Sequence, residues 1–158
     1  MGRDIQAIKI SGEDRRKYRR KLRRSLDVFA RMLQDRMFED NPPLTGQEIE
    51  LNLVDADGNP SMRSAAVLDA IADPAWETEV GQFNLEINVP PRQLGGDAVA
   101  GLEDEIRASL NAADAAARRT GTRLVMIGIL PTLRQQDVHE GTLSPNERFK
   151  VLNEQIFA

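Results

Sequence analysis

Acidic and amide side chains alternate with apolar ones in two segments, and these are the positions best suited to chemistry. The first segment, TGQEIELNLV, is an extended strand that places on one side Glu48, Glu50 and Asn52. In the second segment the alternating polar positions are Gln82, Asn84, Glu86 and Asn88. If the two strands are neighbours, three carboxylates crowd onto one surface. Like charges that face each other across strands destabilise a sheet, and a bound cation would relieve that repulsion.

A surface of this kind suits Mg²⁺, which prefers oxygen ligands and commonly bridges carboxylates to the phosphates of a nucleotide. The alternative is the solvated side of an antiparallel sheet, which is polar for no further reason. A solvated face usually includes lysine, arginine or threonine, whereas none of these outward positions carries a cation. The residues alone leave both interpretations open.

Hydrophobic periodicity predicts the helices that must position these strands. Apolar residues at three- and four-residue steps indicate helices at 13–38, 63–72, 97–119 and from about 145 to the end of the chain. The first helix has an apolar stripe that we expect to be buried, and its members are Tyr18, Leu22, Leu26, Phe29, Leu33 and Met37. The third helix has Asp97 as its expected N-cap and a buried stripe that starts at Val99.

Period-two alternation predicts strands at 45–54 and 76–89, where the second segment forms one strand or two and Pro90-Pro91 ends it. An apolar run predicts a further strand at 122–130, and a polar loop follows at 133–145. Helices and strands in this order predict an α+β fold, a mainly antiparallel sheet with helices packed on one face.

Composition bounds the class of protein. The chain has 158 residues, 41% of them apolar and 29% charged, which is typical of one globular domain spanning 1–158, with residues 1–12 expected to lie outside the ordered fold. The absence of cysteine excludes disulfides, thiolate ligands and a cysteine nucleophile. We find no long apolar run and no secretory signal, and therefore expect no membrane partner and a cytoplasmic location.

Charge is distributed unevenly. Residues 1–40 hold twelve Lys or Arg against seven Asp or Glu, whereas residues 45–91 hold nine acidic residues against the single cation Arg63. The basic run at 15–24 could bind nucleic acid. The apolar stripe in the same helix explains these cations as its solvated side, and we do not expect nucleic acid as a partner.

Three blocks of the sequence resemble successive motifs of the type 2 glutamate–cysteine ligase family. They are Gly46-Gln-Glu48-Ile-Glu50, then Glu79-Val-Gly81-Gln82-Phe83-Asn84-Leu85-Glu86, then Ile127-Gly128-Ile-Leu-Pro131-Thr132. The resemblance covers residues 13–156. It implies a glutamine-synthetase-like catalytic domain, of which this chain would be the N-terminal part, since its last helix has no stop signal.

The resemblance also implies a reaction and its ligands. ATP would phosphorylate the γ-carboxylate of glutamate, and an amine, such as that of cysteine, would displace the phosphate. The carboxylates implied to hold Mg²⁺ beside ATP are Glu48, Glu50, Glu79 and Glu86. The residues expected to bind substrate are Gln82, Asn84, Asn88 and Arg148, and no catalytic acid or base is identified.

Two features leave parts of this interpretation open. In a regular strand, Glu79 would point to the side opposite the polar residues of 82–88, because its number is odd and theirs are even. It reaches the same surface only if the chain bends or bulges at Gly81. The family's usual histidine after the 122–130 strand is missing, and the single histidine, His139, lies in the following loop. The amine acceptor and the role of His139 are therefore not determined.

Two other functions remain possible on the sequence. A two-metal phosphohydrolase also uses clustered carboxylates, although it normally adds a lysine or histidine near the phosphate. A non-catalytic module is the other possibility, because a missing C-terminal part would leave the site incomplete. In that case we expect little turnover, and self-association or pairing with the missing part through an exposed sheet edge.

Overall fold

The computed structural model describes residues 10–38, 43–93 and 95–156. The chain divides into two compact units, a helical unit within residues 6–43 and an α+β unit whose described residues begin at Leu44. Most of the segment 1–12 lies outside the described residues.

The helical unit contains one long helix, α1 (Gly12–Gln34). Its N-terminus is capped reciprocally: the Asp14 N–H donates to Ser11 Oγ at 3.2 Å, and the Ser11 N–H donates to Asp14 Oδ2 at 3.0 Å. The helix ends at Asp35, and Arg36 follows with a positive φ of 51°. It therefore stops before residue 38, the predicted end, because the backbone leaves helical geometry ahead of the prolines.

The apolar stripe of α1 is exposed, and our expectation that it is buried was wrong. Tyr18 is 67% exposed and Leu26 56%, and no residue of this helix is buried. Periodicity predicts which side chains share a face, but burial also requires a second surface. The described residues of the helical unit supply no second element for the stripe to pack against.

Four antiparallel strands form the sheet of the α+β unit. They are β1 (Leu44–Val54), β2 (Trp76–Thr78), β3 (Asn84–Gln93) and β4 (Arg123–Val125), in the order β2-β3-β1-β4. In the central pair, Glu50 lies opposite Glu86 and Leu51 opposite Leu85. This register places all the apolar alternating residues of both strands on one side.

Helices α2 (Ser64–Ile71) and α3 (Ala98–Arg119) pack on the apolar side. The core joins strand residues to helix residues, and its most buried members are Leu53, Val67, Leu85 and Ala117. A last helix, α4 (Glu147–Ile156), buries Phe149. The predicted α+β class and antiparallel sheet are confirmed.

The segment predicted as strand at 76–89 is a hairpin. β2 ends at Thr78, the chain turns through residues 79–83, and β3 continues past Pro90 and Pro91 to Gln93. The prolines were expected to end this strand, and that was wrong. They lie beyond the residues that pair with β2, where a missing N–H is tolerated. A register shift between Thr45 and Gln47 accommodates them on the β1 side.

The strand predicted at 122–130 is short. Only Arg123–Val125 pair with β1, and the next residues leave the ladder with Met126 and Ile129 exposed. An apolar run therefore did not indicate a full strand. In α3, Val99 was expected on the buried stripe but is 63% exposed, and Asp97 occupies the N-cap position without a side-chain cap bond.

Candidate functional site

A row of carboxylates crosses three neighbouring strands of the sheet. Glu50 of β1 lies opposite Glu86 of β3, and Glu86 lies opposite Glu77 of β2. Residues directly opposite each other project to the same side of a sheet, with Cβ atoms about 5 Å apart. We call this side the polar face; its other members on β1 and β3 are Glu48, Asn52, Asn84 and Asn88. The pairing of the two predicted strands therefore brings the predicted carboxylates together.

Glu79 lies close to this row. Its pKa is raised above the ordinary value, chiefly because partial burial disfavours the charged form and in addition because Glu86 and Glu50 are nearby. The Val80 N–H opposes this effect by donating to Glu79 Oε2 at 3.0 Å. The bend that the sequence required at Gly81 is present as the β2–β3 turn. A Cβ at that glycine would lie 2.7 Å from Asn84 Oδ1.

The amide side chains of the polar face hold their neighbours in fixed positions. Asn88 Nδ2 donates to Glu86 Oε1 at 3.3 Å. Asn84 Nδ2 donates to Asn52 Oδ1 at 2.9 Å, and Asn52 Nδ2 donates to the Ile127 carbonyl at 2.9 Å. This last bond attaches the segment after β4 to the sheet beyond the point where backbone pairing ends.

Two clefts flank the Glu50–Glu86 pair. A cleft of about 330 Å³ is lined by Glu50, Asn52, Asn84, Met126, Ile127 and Gly128. A second cleft of about 470 Å³ is lined by Gly46, Gln47, Glu48, Asn88, Val89, Pro90 and Pro91. Both are open and partly polar, so a ligand placed across the carboxylate row has room on either side.

The β2–β3 turn is held by a distant part of the chain. Gln82 Nε2 donates to the carbonyls of Gly141 at 3.1 Å and Leu143 at 2.8 Å. The Ser144 hydroxyl donates to the Glu79 carbonyl, and the Ser144 N–H donates to the Val80 carbonyl at 2.8 Å. The turn that carries Glu79 is thus bonded to residues that lie 59 to 65 positions away in sequence.

Two remaining candidates lie on other elements. Arg148 is on α4, half-buried, with its guanidinium carbon 4.6 Å from the centre of the Phe149 ring. His139 precedes a short 3-10 turn at Glu140–Thr142, and its Nδ1 accepts from the Gly141 N–H at 3.1 Å. The histidine therefore caps a turn in the chain's own backbone.

The side chains of the polar face and Glu79 offer oxygen ligands that suit an oxygen-preferring cation, but they are not arranged as a formed metal site. Among residues 10–38, 43–93 and 95–156, no group of three or more His, Cys, Asp or Glu side chains is arranged as a formed metal site. The backbone already places Glu50 and Glu86 opposite each other with Glu79 beside them. Glutamate side chains have enough rotamers to converge, and carboxylate oxygens are ligands that such a cation prefers.

Comparison with protein families identifies the chain. The sequence model of glutamate-cysteine ligase family 2 matches residues 44–157. The chain belongs to this family. The match begins at the first residue of β1 and includes the whole polar face, whereas α1 precedes it. No curated protein and no solved structure matches the chain significantly.

The resemblance seen in the sequence is confirmed over residues 44–157, and the match does not extend to residues 13–43, which the resemblance was expected to include. None of the described helices is long and apolar enough to span a membrane.

Three residues near the site were not among the predicted site residues: Glu77, Asn52 and Ser144. Glu77 could have been found from its spacing, since Glu77 and Glu79 repeat the Glu-x-Glu pattern of Glu48 and Glu50. Ser144 carried no signal in the sequence.

Proposed function

We propose that this member of glutamate-cysteine ligase family 2 is an ATP-dependent carboxylate–amine ligase whose nucleotide and metal bind on the polar face. One observation carries the proposal: Glu50 and Glu86 are cross-strand partners, with Glu79 beside them, inside the region that matches the family. Such an arrangement costs stability through like-charge repulsion, and a ligand cation offsets that cost.

The four carboxylates Glu48, Glu50, Glu79 and Glu86 would hold Mg²⁺. The magnesium–ATP complex supplies the phosphoryl group that activates a substrate carboxylate, with the metal neutralising phosphate charge. The chain's contribution is to fix three of these carboxylates on the adjacent strands β1 and β3 and Glu79 on the turn between β2 and β3. Asn88 orients Glu86, with which it shares a hydrogen bond, and leaves the cleft beside Glu48 open for a ligand.

Substrate recognition is assigned to the polar residues around this row. Asn84 and Asn88 face the two clefts, and Gln82 and Arg148 are the other residues predicted to bind substrate. An arginine suits a substrate carboxylate because its guanidinium can donate two parallel hydrogen bonds. We propose glutamate as the acid, an amine such as cysteine as the acceptor, and the cytoplasm as the location.

The proposal is tested by calorimetric titration of the chain with ATP, in the presence and absence of Mg²⁺. Titrations are repeated on Glu50→Gln and Glu86→Gln, which remove charge while preserving side-chain size. We expect magnesium-dependent binding by the intact chain and at least tenfold weaker binding by each variant. Losing a charged ligand contact costs about 1.5–3 kcal/mol, and about 1.4 kcal/mol corresponds to tenfold.

Glu103→Gln is the matched control. Glu103 is an exposed glutamate of α3, the helix that packs on the opposite side of the sheet, and its charge is paired with Arg107. This variant should bind magnesium–ATP like the intact chain. Equal losses in the control and in the two polar-face variants would reject the proposed site. Hydrolysis of ATP without any amine acceptor would instead indicate a phosphohydrolase.

A further inference from the structure

The turn that carries Glu79 is paired with a segment that the sequence predicts as a polar loop. The Gln82 N–H donates to the Thr142 carbonyl at 2.8 Å, and Gly81 and Leu143 form an antiparallel bridge. With the two bonds from the Gln82 side chain and the two from Ser144, residues 141–144 act as a clamp on residues 79–82. We call residues 141–144 the clamp segment.

The side chains in this contact are committed to it. Ser144 is 1% exposed, and its hydroxyl donates to the backbone carbonyl of Glu79, the residue whose carboxylate joins the polar face. Both hydrogen bonds of the Gln82 amide nitrogen go to carbonyls of the clamp segment. Since a carboxamide nitrogen carries two hydrogens, it has none left to donate to a substrate.

The clamp segment is itself braced. The His139 Nδ1 accepts from the Gly141 N–H at 3.1 Å, and the Thr142 hydroxyl donates to the His139 carbonyl at 2.8 Å. On the opposite side, a Cβ at Gly81 would lie 2.9 Å from Phe83 Cε1, so the turn is closely packed. The clamp segment and residues 79–82 are thus each held in a defined conformation. The hydrogen bonds between them fix the position of the turn relative to the clamp segment.

We propose that Ser144 and Gln82 are positioning residues that hold Glu79 beside Glu86 and Glu50. They act on its backbone and touch neither metal nor nucleotide. This assigns Gln82 a role different from the substrate contact expected from the family resemblance. The inference rests on the proposed function only for the identity of the ligand that the carboxylates bind. The contact between the clamp segment and the turn does not depend on that ligand.

The first test measures the turn without any ligand. Ser144→Ala removes the hydroxyl bond to Glu79, and Gln82→Met removes both amide donors with little change in size. Amide hydrogen exchange, followed by mass spectrometry on the full chain, should become at least fivefold faster in peptides covering 79–83 and 141–144. A lost hydrogen bond of about 1 kcal/mol corresponds to about fivefold in an opening equilibrium. Unchanged exchange in both variants would overturn the proposal.

Ser61→Ala is the matched control. Its hydroxyl is 3.2 Å from Thr122 Oγ1 and forms no hydrogen bond with residues 79–83, so the same chemical change should leave exchange at 79–83 unaltered. If the control accelerates exchange there as much as Ser144→Ala, the effect is general destabilisation and the positioning role is rejected. Thermal melts establish whether each variant is folded. If Ser144→Ala does not fold, hydrogen exchange in Gln82→Met decides whether the positioning role is correct.

The second test asks whether the effect on ligand binding passes through Glu79. Ser144→Ala should weaken magnesium–ATP binding about fivefold, whereas the double variant Ser144→Ala/Glu79→Gln should bind no more weakly than Glu79→Gln alone. Additive losses would show that Ser144 does not act through Glu79. If the intact chain does not bind magnesium–ATP, the proposed function fails, and hydrogen exchange still decides whether the clamp positions the turn.

Discussion

Alternate residues of β1 and β3 point to opposite sides of the sheet, and the two sides carry residues of opposite character. On one side, Leu51 and Leu85 lie opposite each other in a core covered by α2 and α3. On the other side, Glu50 and Glu86 lie opposite each other outside that core, and Glu86 is only 5% exposed. The same backbone ladder thus carries an apolar pair that stabilises the fold and a pair of acidic residues.

If the proposed site is correct, stability and function are divided between the two sides of the sheet. Burying leucine contributes roughly 1.5–3 kcal/mol per side chain, whereas like charges in a cross-strand pair cost roughly 0.2–1 kcal/mol. The apolar side can therefore support a polar face that contributes less to stability. If this division is correct, substitutions on the two sides should change unfolding free energy in opposite directions.

The largest effect is expected from Leu85→Ala. Leu85 is fully buried at the centre of the core, so truncation leaves a cavity and should lower the free energy of unfolding by about 3 kcal/mol. Urea denaturation followed by circular dichroism measures this change. Leu44→Ala, which removes a leucine that is 60% exposed on the same sheet, should cost less than about 0.5 kcal/mol. A loss below about 1 kcal/mol for Leu85→Ala would contradict the division.

A smaller effect is expected where the helix layer joins the sheet through a polar contact. Asp114 Oδ1 accepts from the Leu124 N–H at 3.1 Å, and its Oδ2 pairs with Arg118 at 2.8 Å. Burial raises the pKa of Asp114, but the bonds from Arg118 and Leu124 outweigh it, and the pKa lies below the ordinary value. Asp114→Asn should lower the free energy of unfolding at pH 7 by about 1 kcal/mol.

The pH dependence gives this prediction its sign. A carboxyl whose pKa is lowered by folding stabilises the protein above its unfolded pKa of about 3.9, and that stabilisation disappears as pH falls through the folded value. The difference between the intact chain and Asp114→Asn should therefore be full at pH 7 and vanish under strongly acidic conditions. Denaturation curves across this range test it, and a difference that is constant with pH would show that charge is not its cause.

The smallest effect has the opposite sign and concerns the polar face. Without ligand, Glu50→Gln should raise the free energy of unfolding by about 0.2–1 kcal/mol, because it removes a charge that faces Glu86. The gain should shrink at 1 M salt, where charges are screened within about 3 Å. Glu103→Gln, which loses an ion pair with Arg107, should give no gain. Equal destabilisation by both variants would mean that Glu50 and Glu86 do not repel.

Local sequence patterns predicted most of the α+β unit. Alternation placed Glu48 and Glu50 on one side of β1 and Leu51 on the other, and the register of β1 with β3 agrees with it. The same reasoning failed where local preference and pairing disagree. The run after Val125 is apolar enough for a strand, yet it leaves the ladder, and Asn52 bonds Ile127 by its side chain.

The position of Glu79 shows where local reasoning ends. In a regular strand Glu79 and Glu86 would point to opposite sides, and only a bend at Gly81 could bring them to the same side. The structure contains that bend as a hairpin turn, clamped through Ser144 and Gln82 by residues 141–144. Contacts between segments more than sixty residues apart leave no periodic signal, so this part of the site could not be predicted.

By itself, the sequence determined the strands, the sides to which their residues point and the family to which the chain belongs. These follow from period-two alternation and from motifs that are local in the chain. Tertiary structure decided which strands are neighbours, and hence that Glu50 faces Glu86 and that Glu77 and Glu79 join them. It also decided that the stripe of α1 is exposed, because burial depends on a second surface and a helix encodes only its own.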